Sequence, residues 1–284
     1  MKSKFIFILY LLLYLPFASA QTEKDSITIA GINWETTQIQ KGIVRKHAQV
    51  PSLYNCVQNI NYVEVDLKRS KTDTKIIITV PNKITSEAAK ANNAIAAVNG
   101  SYFDVVKGNS VCYLKVDKQV IDTTTAAEFA ERVTGAIHEK NGKIKIIPWS
   151  KSIELTNKIN KGTVLASGPL MLNEGKVCDF SLLSKKFITT KHPRCAICIT
   201  KDNKLLLMTV DGRFPGQAEG INIPELAHLM KMLGGKYALN LDGGGSTTIW
   251  TKDAPENGVL NTPYDNRKFD HYGEREVANI IIIK

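Results

Sequence analysis

The sequence predicts an α+β fold, one domain built on a mostly antiparallel or mixed, twisted sheet with a few helices. Strand-like runs outnumber helical periodicities. The turns between them are hairpin turns, and helices do not alternate with strands as βαβ units would require.

Residues 26–34, behind a polar start, read as a first strand. Residues 63–67 set Val63, Val65 and Leu67 against Glu64 and Asp66, the period-two pattern of a half-buried strand. Residues 75–80 are a β-branched run that Pro81 is expected to end. A short helix is expected over 85–93, with Thr85 or Ser86 as N-cap. The small apolar strand 94–98 runs into the polar turn Asn99-Gly100-Ser101. Strands recur at 110–116, 133–138 and 143–147, and Asn141-Gly142 between the last two is a strong hairpin signal. Residues 163–166 lead as a strand into Ser167-Gly168-Pro169, and strands 194–200 and 204–210 flank a second hairpin turn at Asp202-Asn203. The clearest helix spans 224–233. Pro224 opens it, Leu226, Met230 and Leu233 share a face, and Gly234 stops it. Strand 237–241 empties into Asp242-Gly243-Gly244-Gly245-Ser246, residues 247–250 continue beyond, and 277–283 is a closing strand. No repeat, low-complexity tract or Pro/Ser-rich linker divides residues 21–284, so one domain is expected.

Residues 1–20 read as a signal peptide. Lys2 and Lys4 give a positive start, residues 5–17 are almost wholly apolar, and Ala18-Ser19-Ala20 is a small-residue cleavage site. The apolar run is short for a membrane span, which needs about 20 residues. No Cys follows the cleavage site and no later segment is apolar enough to span. The expectation is an exported protein, periplasmic or secreted, cleaved near Ala20/Gln21, with no membrane span.

A hydrophobic fraction of 43% with 23% charged residues is ordinary globular composition. The formal charge is +10, but Lys and Arg are scattered and no aromatic-basic module appears, so no nucleic-acid partner is expected. A basic surface suits anionic substrates. Cys195 and Cys198 have CxxC spacing, yet they sit in an apolar run with no second Cys/His pair, so no metal site is expected. Three apart on a strand, their side chains face opposite ways. Any disulfide should therefore join one of them, or Cys178, to Cys56 or Cys112.

The residues that carry chemistry cluster at strand ends. Three consecutive glycines, bracketed by Asp242 and Ser246, let a ligand approach the backbone and let amides such as those of Gly244 and Gly245 converge on an anion. The segment fits neither the GxxxxGK[ST] nor the GxGxxG pattern, and no cofactor is expected. Asp211-Gly212-Arg213 ends another strand. It reads either as a local ion pair or as a phosphate grip, since a guanidinium matches phosphate in bidentate fashion. Arg194 and Arg275 are further candidates of the same kind. Asn99, Tyr102 and Asp104 combine hydroxyl-binding groups with an aromatic face suited to a sugar, with a plain structural turn as the competing reading.

Taken in order, Asn99-Gly100-Ser101-Tyr102-Phe103, Ser167-Gly168-Pro169-Leu170, Arg194, Asp211-Gly212-Arg213, the helix 224–233, the Asp242 to Ser246 segment, Asn261-Thr262-Pro263 and Gly273-Glu274-Arg275-Glu276-Val277-Ala278-Asn279 resemble the phosphodiester glycosidase family over about residues 90–284. The resemblance implies hydrolysis of a glycan or small-molecule phosphodiester. It adds Ser167 to the sugar-binding set and makes Asp242, Asp211 and Ser246 the catalytic candidates. Arg194, Arg213, Arg275 and the Gly244 and Gly245 amides become the phosphate ligands. The family's Asn-Arg-Pro-Ser-Asp stretch is here Asn261-Thr262-Pro263-Tyr264-Asp265, so its arginine is replaced by Thr262.

Breaking the glycosyl–oxygen bond passes through an oxocarbenium-like transition state that a carboxylate stabilises, while arginines hold the phosphate. The expected products are a free sugar and a phosphate monoester. Two alternatives stay open, a non-catalytic carbohydrate or cell-envelope binding protein and a phosphodiesterase that breaks the P–O bond.

Overall fold

Residues 22–284 are described by a computed structural model of the chain. The segment expected to be a signal peptide lies outside them. Helix α1 (Glu23–Ala30) precedes strands β1 (Glu35–Gln40), β2 (Ile43–Leu53), β3 (Cys56–Asp66) and β4 (Thr74–Lys83). Next come α2 (Thr85–Ala91), β5 (Ala96–Asn99), β6 (Leu114–Val116), β7 (Gln119–Asp122) and α3 (Ala126–Glu131). Strands β8 (Gly135–Lys140) and β9 (Lys143–Pro148), helix α4 (Lys151–Leu155), and strands β10 (Thr163–Ser167), β11 (Leu170–Asn173) and β12 (Lys176–Val177) follow. The chain continues through α5 (Lys185–Thr189), β13 (Arg194–Thr200), β14 (Lys204–Val210), α6 (Ile223–Met232) and β15 (Gly235–Asn240). It closes with a 3-10 turn (Gly244–Ser246), β16 (Ile249–Thr251) and β17 (Val277–Ile283).

The strands form three sheets ordered β1-β2-β3-β14-β13-β15-β11-β12, β7-β6-β10-β8-β9 and β16-β5-β17-β4. Every pairing among them is antiparallel, as the hairpin turns foretold.

The eight-stranded sheet is covered on both faces. On one, Leu226, Leu229 and Met230 of α6 pack with Ala196, Cys198 and Met208. On the other, Cys195, Ile197, Leu205 and Leu207 meet residues of the two smaller sheets, among them Val98, Ile137, Leu165 and Ile281. Cys195 and Cys198 therefore face opposite cores, as their spacing in a strand requires, and all five thiols are free. Strand β17 shows the same logic. Ile281 and Ile283 enter this middle layer, while Ile280 and Ile282 pack beneath Ala88 and Ala89 of α2. A strand buried on both faces needs no polar alternation, hence the unbroken isoleucine run.

Four expectations are corrected. The segment 26–34 is mostly helix, not strand. Thr22 caps α1 by accepting from the Asp25 amide, and the Asp25 carboxylate returns to the Thr22 amide. This capping box outweighs the β-branched residues that suggested a strand. Pro81 does not end β4, which runs on to Lys83. β4 is an edge strand, where a missing N–H costs no ladder bond. Neither Thr85 nor Ser86 caps α2, whose N-cap is Ile84. Glu274 supplies the acceptor instead, taking the Ser86 amide at 2.9 Å and its hydroxyl. Of the segment 110–116, only Leu114–Val116 is strand. Among the described residues, no helix is long and apolar enough to cross a membrane.

Candidate active site

Register brings the catalytic candidates to one end of the large sheet. β13 begins at Arg194, opposite Val210 at the end of β14. On its other side, Ala196 pairs with Asn240 at the end of β15, and the Leu241 amide donates to the Cys195 carbonyl at 2.8 Å. The three central strands thus deliver Arg194, Asp211-Gly212-Arg213 and the Asp242 loop to the same rim. β5 arrives there as well. The Asp242 amide donates to Gly100 O at 3.0 Å, and Asn99 Nδ2 donates to Asp242 O at 2.7 Å.

The rim encloses a cleft of about 310 Å³ lined by Tyr102, Glu131, Arg132, Phe187, His192, Arg194, Arg213, Asp242, Gly243, Gly244, Gly245 and Arg275. Four guanidinium groups therefore face one small space. Arg194 is buried and committed: it donates to the carbonyls of Ile221 (3.2 Å), Phe187 (2.9 Å) and Thr190 (3.0 Å) and stacks over the Phe187 ring. Burial, with Arg132 and Arg213 nearby, brings its guanidinium down to about 10, still charged at neutral pH. Arg132 is gripped by both Glu128 oxygens, at 2.7 and 2.6 Å, and lies over the Tyr102 ring at 3.8 Å. Arg275 pairs with Asp265, its Nε 3.1 Å from Oδ2. Arg213 is exposed and rests over Tyr264 at 5.1 Å.

Each glycine answers a different neighbour: a Cβ at 243 would fall 2.6 Å from Pro193 O. A Cβ at position 244, where φ is +62°, would stand 3.1 Å from Arg213 Nη2. One at 245 would fall 2.4 Å from both Arg275 Nη2 and Asp265 Oδ1. A side chain at 245 would have to displace the Arg275–Asp265 pair, and one at 244 would be strained by the positive φ.

Asp242 stands half-buried in the cleft wall. Burial pushes its carboxyl up to about 6, against the Ser246 hydroxyl and the charges of Arg132 and Arg275, which pull it down. His192 is pushed down to about 4 by burial and by Arg194, Arg213 and Lys186. It is therefore neutral at ordinary pH, with Nδ1 3.5 Å from Arg213 Nη2.

Other expected site residues are not brought to the cleft. Asp211 is buried, with its oxygens taken by Asn59 Nδ2 (2.7 Å), Asn261 Nδ2 (3.0 Å) and the Thr262 amide (3.0 Å). Burial pushes this carboxyl up to about 6 as well. Asn99 holds the main chain of Asp242 and Thr248. Ser167 donates to Asn240 O, and Asp104 accepts from the amides of Val106 and Lys107. Ser246 is buried behind the loop, while Tyr102 does line the cleft and donates its hydroxyl to Gly168 O at 2.6 Å. Among the described residues, no three His, Cys, Asp or Glu side chains are grouped to hold a metal ion.

Sequence reasoning missed Glu131, Arg132, Phe187 and His192. Arg132 had a signal, its spacing of four from Glu128, which forms the observed ion pair at the end of α3. His192 stands two residues before Arg194, close enough to have been grouped with it.

The phosphodiester glycosidase family model matches residues 92–284. The N-acetylglucosamine-1-phosphodiester alpha-N-acetylglucosaminidases of Mus musculus and Homo sapiens are 25% and 24% identical over 206 and 216 residues. These alignments take in 66% and 69% of this chain, and the chain spans only 37% and 39% of those proteins. The zebrafish catalytic domain of that name, auto-inhibited by its pro-peptide, superposes with a TM-score of 0.62 at 18% identity. The superposition covers 87% of this chain and 84% of that one. A hypothetical protein from Synechocystis superposes at 0.60 with 13% identity, over 88% of this chain and 63% of that one.

Proposed function

Because the chain belongs to the phosphodiester glycosidase family, we propose that it hydrolyses a sugar-1-phosphodiester at the glycosyl–oxygen bond, releasing a free sugar and a phosphate monoester. The observation that carries this reading is a half-buried carboxylate, Asp242, set in the wall of one cleft among four arginines. A phosphodiester is a compact anion, and guanidinium groups together with the Gly245 amide are suited to bind it, whereas the Gly244 amide is taken by Pro193 O at 2.8 Å. With phosphate held there, the sugar carbon lies beside Asp242. The carboxylate stabilises the positive charge that develops at that carbon, and departing phosphate needs little help from an acid because it is already a good leaving group. Export to the periplasm or the medium belongs to the same proposal and rests on residues 1–20.

In oxygen-18 water, label should enter the free sugar and not the phosphate monoester. Label in the phosphate would mean P–O cleavage and would overturn the reading. The pH profile follows from the role of Asp242. It acts ionised, and below about 6 it carries a proton, so kcat/KM should fall about tenfold per pH unit on the acid side and level off above 6.

The arginines should not behave alike. Arg213 is exposed, and its guanidinium contacts His192 Nδ1 and the Tyr264 ring and no carbonyl, so Arg213→Ala should leave folding intact. It should lower kcat/KM for phosphodiesters by on the order of 2–4 kcal/mol, the loss of a charged contact that strengthens in the transition state. Arg194→Ala, by contrast, takes a donor from three carbonyls, leaves a hole under the loop and should cost stability as well. Denaturation curves beside steady-state kinetics separate the two. An Arg213→Ala enzyme with normal kcat/KM would put the phosphate elsewhere.

A further inference from the structure

Given the phosphodiester reading above, on which this step rests, we propose that His192 is a further phosphate-binding residue. Its ring donates from Nε2 to a phosphate oxygen of the substrate, while Nδ1 accepts from Arg213 and steadies that guanidinium in the cleft. The backbone of His192 is fixed at the rim. Its amide donates to Ile221 O at 3.3 Å, and its carbonyl accepts from the Ile221 amide at 3.1 Å. Gly212 and Gly220 press against the same stretch, where a Cβ would fall 2.9 and 2.8 Å from His192 C. The ring is thereby held where it lines the cleft with the four arginines.

The neighbour sets the tautomer. A guanidinium has donors and no acceptor, so the ring nitrogen 3.5 Å from Arg213 Nη2, which is Nδ1, presents its lone pair. The single proton of a neutral ring then sits on Nε2. Among the described residues Nε2 has no hydrogen-bond partner, so this donor is left for a ligand. Burial opposes a second proton on the ring. So do three cations, Arg194 at the start of β13, Arg213 just after β14 and Lys186 on α5. Asp242 and Glu131, the acids that line the same cleft, are outweighed.

An uncharged donor suits this place for a second reason. Cleavage turns a phosphodiester that carries one negative charge into a monoester that carries about two at neutral pH. A fifth cation would hold that product more tightly than the substrate and slow its release. An imidazole N–H adds direction to the phosphate site without adding charge.

The ring can be read directly by long-range proton–nitrogen-15 NMR of the labelled protein, with its signals assigned against His192→Gln. Between about pH 5 and 8, Nδ1 should be bare and Nε2 protonated. Dimethyl phosphate, a minimal phosphodiester, should shift Nε2 and its proton more than Nδ1. An Nδ1–H tautomer, an imidazolium at about pH 6, or a ring that dimethyl phosphate leaves unmoved overturns the proposal. Kinetics give an independent check, with methyl esters of hexose and N-acetylhexosamine 1-phosphates as substrates and urea denaturation to show that the variants are folded. His192→Phe should lose about tenfold in kcat/KM, the worth of one hydrogen bond, and His192→Gln, which keeps an N–H donor, should stay within about threefold of wild type. Equal losses in the two, or none in His192→Phe, would make the ring mere packing and also overturn it. If the wild type cleaves none of these esters, the hydrolytic reading has failed separately. The titration with dimethyl phosphate then decides by itself whether His192 binds phosphate.

Discussion

Asp242→Asn should lose at least about a hundredfold in turnover while folding as well as the parent protein. The bonds that fix the loop run through the main chain of Asp242, to Gly100 O and from Asn99 Nδ2, so an amide side chain leaves them in place. An amide cannot act as nucleophile, base or partner to a developing cation. Stability should even favour the variant at neutral pH. The folded carboxyl titrates near 6 because it is buried, whereas in the unfolded chain it ionises near its ordinary value of about 4. Between those values the folded state binds more protons. Stability is fully present below about pH 4, falls as pH rises toward 6, and stays lower above it. Asparagine has no proton to lose, so its advantage should appear above pH 6 and vanish near pH 4. Kinetics and urea denaturation on the same preparation measure both effects. Normal turnover would reduce Asp242 to a brace for the glycine loop.

Asp211→Ala is expected to be the most damaging single change to folding at this end of the molecule, at about 3 kcal/mol or more. It leaves Asn59 Nδ2 and the Thr262 amide buried without an acceptor, at about 1–3 kcal/mol each, and takes from Asn261 Nδ2 one of its two acceptors, the other being Thr247 O; relief of a buried charge offsets part of this. Asp211→Asn keeps one acceptor oxygen and should lose less. The conservative variant also decides the role of Asp211. If this carboxylate positions the loop and does not touch substrate, Asp211→Asn should keep at least about a tenth of kcat at a temperature where it remains folded. A stable Asp211→Asn protein as inactive as Asp242→Asn would restore Asp211 to the chemistry.

These two acids show where sequence reasoning stops. Each ends a strand and precedes a glycine, so pattern alone treats them as equals. What separates them is supplied by distant positions: Asn59 and Asn261 enclose one, while Arg132 and Arg275 face the other. Strands β13, β14 and β17 were legible to the residue because both their faces are buried, which leaves long apolar runs with sharp ends. Strand β2 carries Arg45, Lys46, His47 and Gln49 and was invisible, since it is held by pairing with β1 and β3 more than by its own pattern. Helix α1 has its only clear sequence signal in the cap formed by Thr22 and Asp25, while its β-branched Ile27, Thr28 and Ile29 favour a strand.

The family match begins at residue 92, yet β3, which ends at Asp66, pairs with β14 through seven positions from Lys204 opposite Asp66 to Val210 opposite Ile60. A fragment cut at the boundary of recognisable kinship would lay bare the hydrogen-bonding edge of Leu205, Leu206, Leu207 and Met208. Such an edge invites other chains to add to it and ends in aggregation. The same cut would take Asn59 from Asp211. The part of the chain that no motif marks is thus what keeps the recognisable part soluble, and a working fragment has to include it.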